Sequence, residues 1–358
     1  MSAAQTAPES SDVVLIDVLP QHRIDEAALW RYLSASLPSF SGPATLRQFQ
    51  GGQSNPTYLI ETPAKKFVLR KKPPGKLLPS AHLVEREYRI LRLLPDDFPK
   101  PAARLLCEDA GVIGTPFYVM DHVEGRVITG VSLPRLSAAE RGAIYDDYAR
   151  VAAQLHGVDF RACGLSDFGK PEGYVARQLE RWSKQYLASK TEENEDMNRL
   201  LAWLSAHLPA GDETAIVHGD YRIGNTILHP TEPRIIAVLD WELATLGHPL
   251  SDLAYACMYF RMPATADGGG LGGLDLAQLG IPSEEEFVAR YCEYAGRGRI
   301  ENWPFFLAFS CFRMAAITQG VYARGLQGNA ADKKAMLYGA LAKNFAAIGW
   351  KMAHERRD

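Results

Sequence analysis

The chain has 358 residues, 47% hydrophobic and 23% charged, with 39 Lys and Arg against 42 Asp and Glu for a formal charge of −3. That composition can bury a large core, in one two-lobed unit or two closely packed domains, and it argues against a general nucleic-acid binder, which would carry a basic tail or face. Five cysteines, Cys107, Cys163, Cys257, Cys292 and Cys311, are scattered without pairing or zinc-type spacing, which points to reduced thiols in a cytoplasm rather than a disulfide framework.

The first dozen residues are small and polar and lack the basic start and apolar stretch of a signal peptide, so residues 1–20 are expected to form a disordered tail. No segment reads as the roughly twenty apolar residues of a membrane-crossing helix, and no membrane partner is expected. Asp25 then caps a helix over 25–36 that carries Leu29, Trp30 and Leu33. Residues 44–50 alternate as a strand, Gly51-Gly52-Gln53-Ser54-Asn55-Pro56 is a small polar turn, and residues 57–60 form a second strand. Taken alone the two glycines are an ordinary hairpin turn; their place ahead of the motifs below makes them a cover for a nucleotide. No G-x-x-x-x-G-K-[ST] phosphate loop occurs.

A third strand runs from Lys66 to Lys71. Residues 82–94 place Leu83, Tyr88, Ile90, Leu91 and Leu94 at helical spacing with charges between, which is an amphipathic helix. Residues 116–121 read as a strand entering the polar linker Asp121-His122-Val123-Glu124-Gly125. Beyond it the chain is mostly helical, with helices expected over 137–156, 172–188, 195–207, 250–261, 283–295, 302–323 and 330–354; Ser283 and Glu286 make a capping box. The glycine run at 268–273 follows no strand and opens no helix, so it reads as a loop, and the acidic cluster at 192–196 reads as solvated surface.

Chemistry concentrates in His218-Gly219-Asp220-Tyr221-Arg222-Ile223-Gly224-Asn225 and in the later Asp240-Trp241-Glu242. Phosphoryl transfer to a hydroxyl needs an oriented acceptor, a held metal and neutralised phosphates. The D-x-x-x-x-N spacing of Asp220 and Asn225 lets one loop aim a base at the hydroxyl and turn an amide oxygen toward a metal. Residues 226–229, the turn at 230–233 and the β-rich run 234–239 form a hairpin, which returns Asp240 toward Asp220 and Asn225. Mg2+ takes hard oxygen ligands and keeps several waters, so Asn225, Asp240 and nucleotide phosphates suffice to hold it.

Residues 218–253 resemble the aminoglycoside phosphotransferase and choline kinase-like superfamily, distant relatives of protein kinases. The resemblance implies an α+β, bilobal, protein-kinase-like fold, with a small antiparallel-sheet lobe over 21–121 and a larger helical lobe over 122–358. It implies ATP and Mg2+ as cofactors, Asp220 as catalytic base, and Asn225 and Asp240 as metal ligands. His218 matches a structural His that orients the loop, and Asp252 a buried Asp that braces it. The nucleotide contacts expected are Gly51, Gly52, Ser54 and Asn55 of the turn, Val68 and Arg70 of the third strand, Glu87, and Met120 and Val123 at the hinge. Arg70 stands where many relatives have Lys. A guanidinium offers bidentate contact in place of a point charge. Lys71 and Lys72 are the rival readings, although alternation puts Lys71 on the other face. Glu87 matches the Glu that pairs with this cation; otherwise it is a surface residue paired to Arg at helical spacing.

The acceptor is expected to be a small hydroxylated molecule. An aminoglycoside is polycationic and wants carboxylates, whereas Arg177, Arg181, Arg313 and Arg324 lie among aromatics on the C-terminal helices and suit an anionic or amphipathic acceptor, with Glu242 a further candidate. Through residues 239–250 and the 313–324 stretch, the chain is similar to a subgroup fused to acyl-CoA dehydrogenases in larger proteins. That subgroup implies a hydroxyacyl-CoA or related hydroxy acid. Kinases of aminoglycosides, choline-like alcohols or sugars, and a nucleotide-binding regulator without turnover, remain the alternatives; oligomeric state is not encoded in any of these features. A dinucleotide-binding dehydrogenase is disfavoured, since no G-x-G-x-x-G turn is present.

Overall fold

The computed structural model describes residues 13–50, 55–73, 83–266, 268–327 and 335–354. The chain forms two compact units. One comprises Met1–Thr129, Arg161–Leu165 and Ile223–Ala244; the other comprises Gly130–Phe160, Ser166–Arg222 and Thr245–Asp358.

The first unit is built on a six-stranded antiparallel sheet of β1 (Leu15–Ile16), β2 (Thr45–Phe49), β3 (Thr57–Glu61), β4 (Lys66–Lys71), β5 (Ala103–Cys107) and β6 (Phe117–Asp121), in the order β1-β2-β3-β4-β6-β5. One face carries Tyr58, Ile60, Phe67, Leu69, Phe117 and Val119, and these pack with Leu29 and Leu33 of the helix Glu26–Ser36. Asp25 starts that helix as expected, accepting the Ala28 N–H at 2.9 Å. The amphipathic helix Val84–Leu93 buries Val84, Glu87, Ile90 and Leu91, a spacing of three and four that turns one stripe inward. Residues 15 and 16 correct the expected tail, since they pair with Phe49 and Gln48 at the sheet edge. β5 was not expected from the sequence. It is an edge strand whose pairing to β6 shifts register between Ala103 and Leu105, which breaks the alternation a sequence reading needs.

The expected lobe boundary after residue 121 also moves, to residues 129 and 130, and residues 223–244 group with the sheet rather than with the helices. Arg126 supplies the reason. Its backbone exchanges two hydrogen bonds with Leu228, each 2.8 Å. Its guanidinium donates to the carbonyls of His229 (2.9 Å) and Glu232 (3.0 Å). The hairpin Thr226–Leu228 and Ile235–Val238 is thereby stitched to the chain leaving β6.

The second unit is helical, with Ala138–His156, Tyr174–Ser189, Glu195–Ala206, Pro249–Arg261, Glu284–Tyr294, Trp303–Leu326 and Tyr338–His354 as its main elements. Ser283 and Glu286 form the expected capping box. Two three-residue strands, Ala215–Val217 and Thr245–Gly247, pair antiparallel; both are too short to show periodicity in sequence. Trp303–Leu326 corrects the membrane expectation. At 24 residues it is long and apolar enough to cross a membrane by length and composition, yet 67% of its most apolar window is buried within the protein, as befits a core helix.

Gly125 is where the hairpin and the chain after β6 meet most closely. A Cβ there would lie 2.3 Å from the Leu228 carbonyl oxygen and 2.4 Å from Ile227 Cγ2. Gly125→Ala is therefore expected to lower unfolding free energy by about 1–3 kcal/mol in denaturant titrations. Gly211→Ala, whose Cβ meets nothing within 4 Å, should stay within about 0.5 kcal/mol of the parent.

Candidate active site

In the first unit the site is organised by β4. Register pairs Val68 with Met120 and Arg70 with Tyr118, so these four side chains share one face of the sheet. Lys71 points to the opposite face, where burial pushes its ammonium pKa down. Lys72 is paired with Glu85 at 3.0 Å. Arg70 is thus the buried cation of β4 on the Val68 and Met120 face, Lys66 at the strand's start being exposed. Val123 follows β6 and is half-buried.

Arg70 Nη1 lies 2.7 Å from Glu87 Oε2, and Nη2 lies 3.0 Å from Asp240 Oδ1. Glu87 is fully buried and also accepts from Asn55 Nδ2 (2.7 Å) and the Tyr118 hydroxyl (3.0 Å). Burial opposes the charge on Arg70, but Glu87 above all, with Tyr118, Asp240 and Glu242, more than offsets it and raises the guanidinium pKa. Burial in turn pushes the Glu87 carboxyl up, against the pull of Arg70 and its two hydrogen-bond donors. Asn55, expected among the nucleotide contacts, is 0% exposed and spends its amide on Glu87. Gly51, Gly52 and Ser54 lie outside the described residues. One donor of the array is left over: Arg70 Nε is buried and has no hydrogen-bond partner among the described residues.

The hairpin delivers the acidic side. Leu239 N–H donates to the Asn225 carbonyl at 2.8 Å, which seats Asn225 beside the residue preceding Asp240. Trp241 anchors the following turn by donating from Nε1 to the Val238 carbonyl (2.9 Å) and packing edge-on against Phe98. Asp240 itself adopts φ 65°, a left-handed conformation that Asp tolerates better than most residues. Its side chain is 36% exposed. Asn225 and Asp240 offer an amide oxygen and a carboxylate, the hard donors magnesium takes, so the residues fit that ion. Among the described residues no group of three or more His, Cys, Asp and Glu side chains is arranged to hold a metal.

In the second unit, the strand Ala215–Val217 ends at His218, and the loop that follows is held by buried Asp252. Asp252 accepts the backbone N–H groups of His218 and Gly219, the latter at 2.8 Å. His156 Nε2 stands 3.6 Å from the same carboxylate, and His156 Nδ1 contacts the Tyr291 hydroxyl at 2.8 Å. Burial works against the Asp252 charge, but His156, His218 and the Gly219 amide prevail and hold its pKa below the usual carboxylate range. Asp220 donates its N–H to His218 Nδ1 at 3.2 Å, so that ring nitrogen carries no proton. The Asp220 carboxylate meets Arg222 Nε at 3.4 Å, and burial, with Tyr259 and the Asp220 carboxylate adding to it, pushes the Tyr255 hydroxyl pKa well up. His156 and Tyr255 escaped sequence reading; each lies on a helix and meets the loop only through folding.

The four arginines expected to face the acceptor are all in this unit, and none is ion-paired to a carboxylate among the described residues. Arg313 donates to the Gly219 carbonyl and lies over the rings of Tyr255 (5.4 Å) and Trp182 (5.9 Å). Arg177 donates to the Lys170 carbonyl at 2.6 Å, and Arg181 lies over Trp182 at 5.1 Å. Arg324 is exposed near the end of its helix.

The chain belongs to the phosphotransferase enzyme family (APH), whose sequence model matches residues 45–306. It is 45% identical over 333 residues to acyl-CoA dehydrogenase family member 10 of Mus musculus, covering 92% of this chain and 31% of that protein. The chain spans less than half the length of the curated relatives it matches, 31% and 44% in the mouse members 10 and 11. Among solved structures, a Ralstonia eutropha protein assigned to the aminoglycoside phosphotransferases is 45% identical with a TM-score of 0.86, covering 94% of this chain and all of that one. The streptomycin–ATP ternary complex of APH(2″)-IIa, at 16% identity and a TM-score of 0.57 over 91% of this chain and 98% of that one, shares the fold. The fold is the protein-kinase-like one expected from the sequence.

Asp252 carries the acid sensitivity of the loop. Its folded pKa lies below the unfolded value of about 3.9. The stability it contributes is therefore complete above that pH and lost as pH falls through the folded value. Asp252→Asn, which leaves a neutral amide facing two backbone donors, should cost about 2–4 kcal/mol at pH 7, and the gap to the parent should close below about pH 4 in pH-dependent denaturation.

Proposed function

We propose that this protein is an ATP- and Mg2+-dependent kinase that transfers the γ-phosphoryl group to the hydroxyl of a small acceptor, with a hydroxyacyl-CoA or related hydroxy acid as the preferred class. The observation that carries the kinase reading is the Arg70 array. A buried guanidinium is braced by Glu87 on one side and Asp240 on the other, with Nε left as a donor and two hard-oxygen side chains joined at the hairpin base. Buried donors without partners are uncommon in folded proteins, and a phosphate oxygen is the kind of acceptor this one lacks.

In this reading Arg70 grips nucleotide phosphate while Glu87 fixes its long side chain. Asn225 and Asp240 hold the metal ion, whose contribution is to offset phosphate charge. Asp220 orients the acceptor hydroxyl and takes its proton as the new oxygen–phosphorus bond forms and the bond to the nucleotide's bridging oxygen breaks. Four residues of one loop separate this base from the metal ligand Asn225. Positioning and electrostatics then account for nearly all the catalysis.

Two observations support the acceptor class. The mouse relative is named as an acyl-CoA dehydrogenase family member. Arg177, Arg181, Arg313 and Arg324 lie on or beside helices that also present Trp182 and Tyr255, a setting that repels a polycation and suits an acid or acyl-CoA.

Purified protein should consume ATP with Mg2+ in the presence of hydroxyacyl-CoAs or free hydroxy acids and not with aminoglycosides or choline-like alcohols. Asp220→Ala should lower turnover by about 1,000-fold or more while nucleotide still binds. Asp240→Ala should weaken magnesium-dependent nucleotide binding as well. Turnover by the Asp220 variant equal to the parent would defeat the assignment of the base, and preference for an aminoglycoside would defeat the acceptor class.

A further inference from the structure

The peptide joining Gly219 to Asp220 is held at both of its polar atoms. Its N–H, on Asp220, donates to His218 Nδ1 at 3.2 Å. Its carbonyl, on Gly219, accepts from Arg313 Nη2, a residue 94 positions away in sequence on the core helix Trp303–Leu326. The preceding peptide is anchored too, since the Gly219 N–H donates to Asp252. Gly219 has φ 84°, a left-handed conformation in which a side chain would be strained, so the loop reverses here and the next residue's direction depends on how the 219–220 plane is set. The guanidinium that sets it is itself fixed, lying over the rings of Tyr255 and Trp182. Every one of these groups lies in the second unit.

We infer that Arg313 is a positioning residue for Asp220, acting through the Gly219 carbonyl, rather than a contact for the acceptor's anionic group. The inference rests on the reading of Asp220 as the base. A rigid cation suits the task better than an ammonium, because its planar fork can donate in one direction while its face lies on an aromatic ring. Losing it would release one end of the peptide that aims the base. Misplacement of about 1 Å is enough to cost on the order of 100-fold in rate.

The test compares the full-length parent with Arg313→Gln and Arg313→Lys by hydrogen exchange over residues 218–222 and by steady-state kinetics on whichever acceptor of the panel turns over. The expected result is faster exchange of the loop amides, by about tenfold or more in Arg313→Gln. With it, kcat should fall by about 10- to 100-fold while KM for acceptor and for ATP stays within about threefold. Arg313→Lys, able to donate to the carbonyl without lying flat on the rings, should recover part of both. The opposite pattern, a raised acceptor KM with kcat and loop exchange unchanged, makes Arg313 an anion contact and overturns the inference. If no acceptor is found, exchange alone decides, and unchanged loop amides overturn it. Should Arg313→Gln fail to fold, Arg313→Lys carries the same comparison. The Asp220→Ala control separates the two ideas: full turnover there rejects the base, whereas lost turnover there with normal exchange in the Arg313 variants rejects only the positioning role.

Discussion

The first unit depends on one buried charge. Arg70 lies in the central region of a sheet, 9% exposed, and a guanidinium there is tolerable only if carboxylates meet it. Glu87 comes from the helix Val84–Leu93 and Asp240 from the hairpin, so neutralising the charge also fixes a helix and a hairpin against β4. Removing Glu87, the fully buried partner, would leave the charge without its main compensation, a loss of the order of 3–5 kcal/mol for buried pairs. Asn55 and Tyr118 then complete the arrangement by occupying the remaining lone pairs of Glu87. Arg suits this position better than Lys would. An ammonium could be attracted to both carboxylates, but a fork holds them with separate nitrogens and still presents Nε.

The parts of this arrangement legible in the sequence are those where chemistry and chain spacing coincide. Asp220 and Asn225 stand five apart in one loop, and the hairpin between Asn225 and Asp240 could be read from a turn flanked by β-rich runs; its closing bond, Leu239 N–H to the Asn225 carbonyl, returns the residue before Asp240 to Asn225. Alternation alone separated Arg70 from Lys71. Helix starts were legible wherever a cap residue carried its own signal, as Asp25 and Ser283 did. What was not legible lies where tertiary pairing overrides local pattern. β1 has two residues and β5 shifts register, so neither shows a period of two. Asn55 reads as one more polar turn residue until Glu87 is brought beside it. Arg126 carries no motif, yet its bonds to the hairpin decide that residues 223–244 belong with the sheet.

The second unit solves a different problem, that of holding a short irregular loop without regular secondary structure of its own. Backbone groups in such a loop need partners. Asp252 takes two amides, His218 a third, Arg313 a carbonyl, and Tyr148 donates its hydroxyl to the Tyr221 carbonyl at 2.8 Å while the Tyr221 hydroxyl donates back to the Tyr148 carbonyl at 2.9 Å. These partners come from three helices, so the loop inherits their rigidity. Tyr148 and Tyr221 also stack with ring centroids 4.6 Å apart, adding apolar contact to the polar exchange.

This division bears on how acceptor preference can change without loss of chemistry. The loop's carbonyls and amides are met by Asp252, His218, Arg313 and Tyr148, and on the proposed reading those bonds set the direction of Asp220 independently of the acceptor. Arg177, Arg181 and Arg324 make no comparable bond to the loop; they cap a local carbonyl, lie on a neighbouring ring or stand exposed. Exchanging those three for neutral or acidic side chains would remove positive charge while leaving these loop bonds in place, and electrostatic complementarity governs which ligands are admitted more than how tightly each is held. Arg313 is the arginine for which this freedom is absent, because its guanidinium is committed to the Gly219 carbonyl. On the proposed reading, acceptor specificity therefore has room to vary along the helices Tyr174–Ser189 and Trp303–Leu326 at residues other than Arg313.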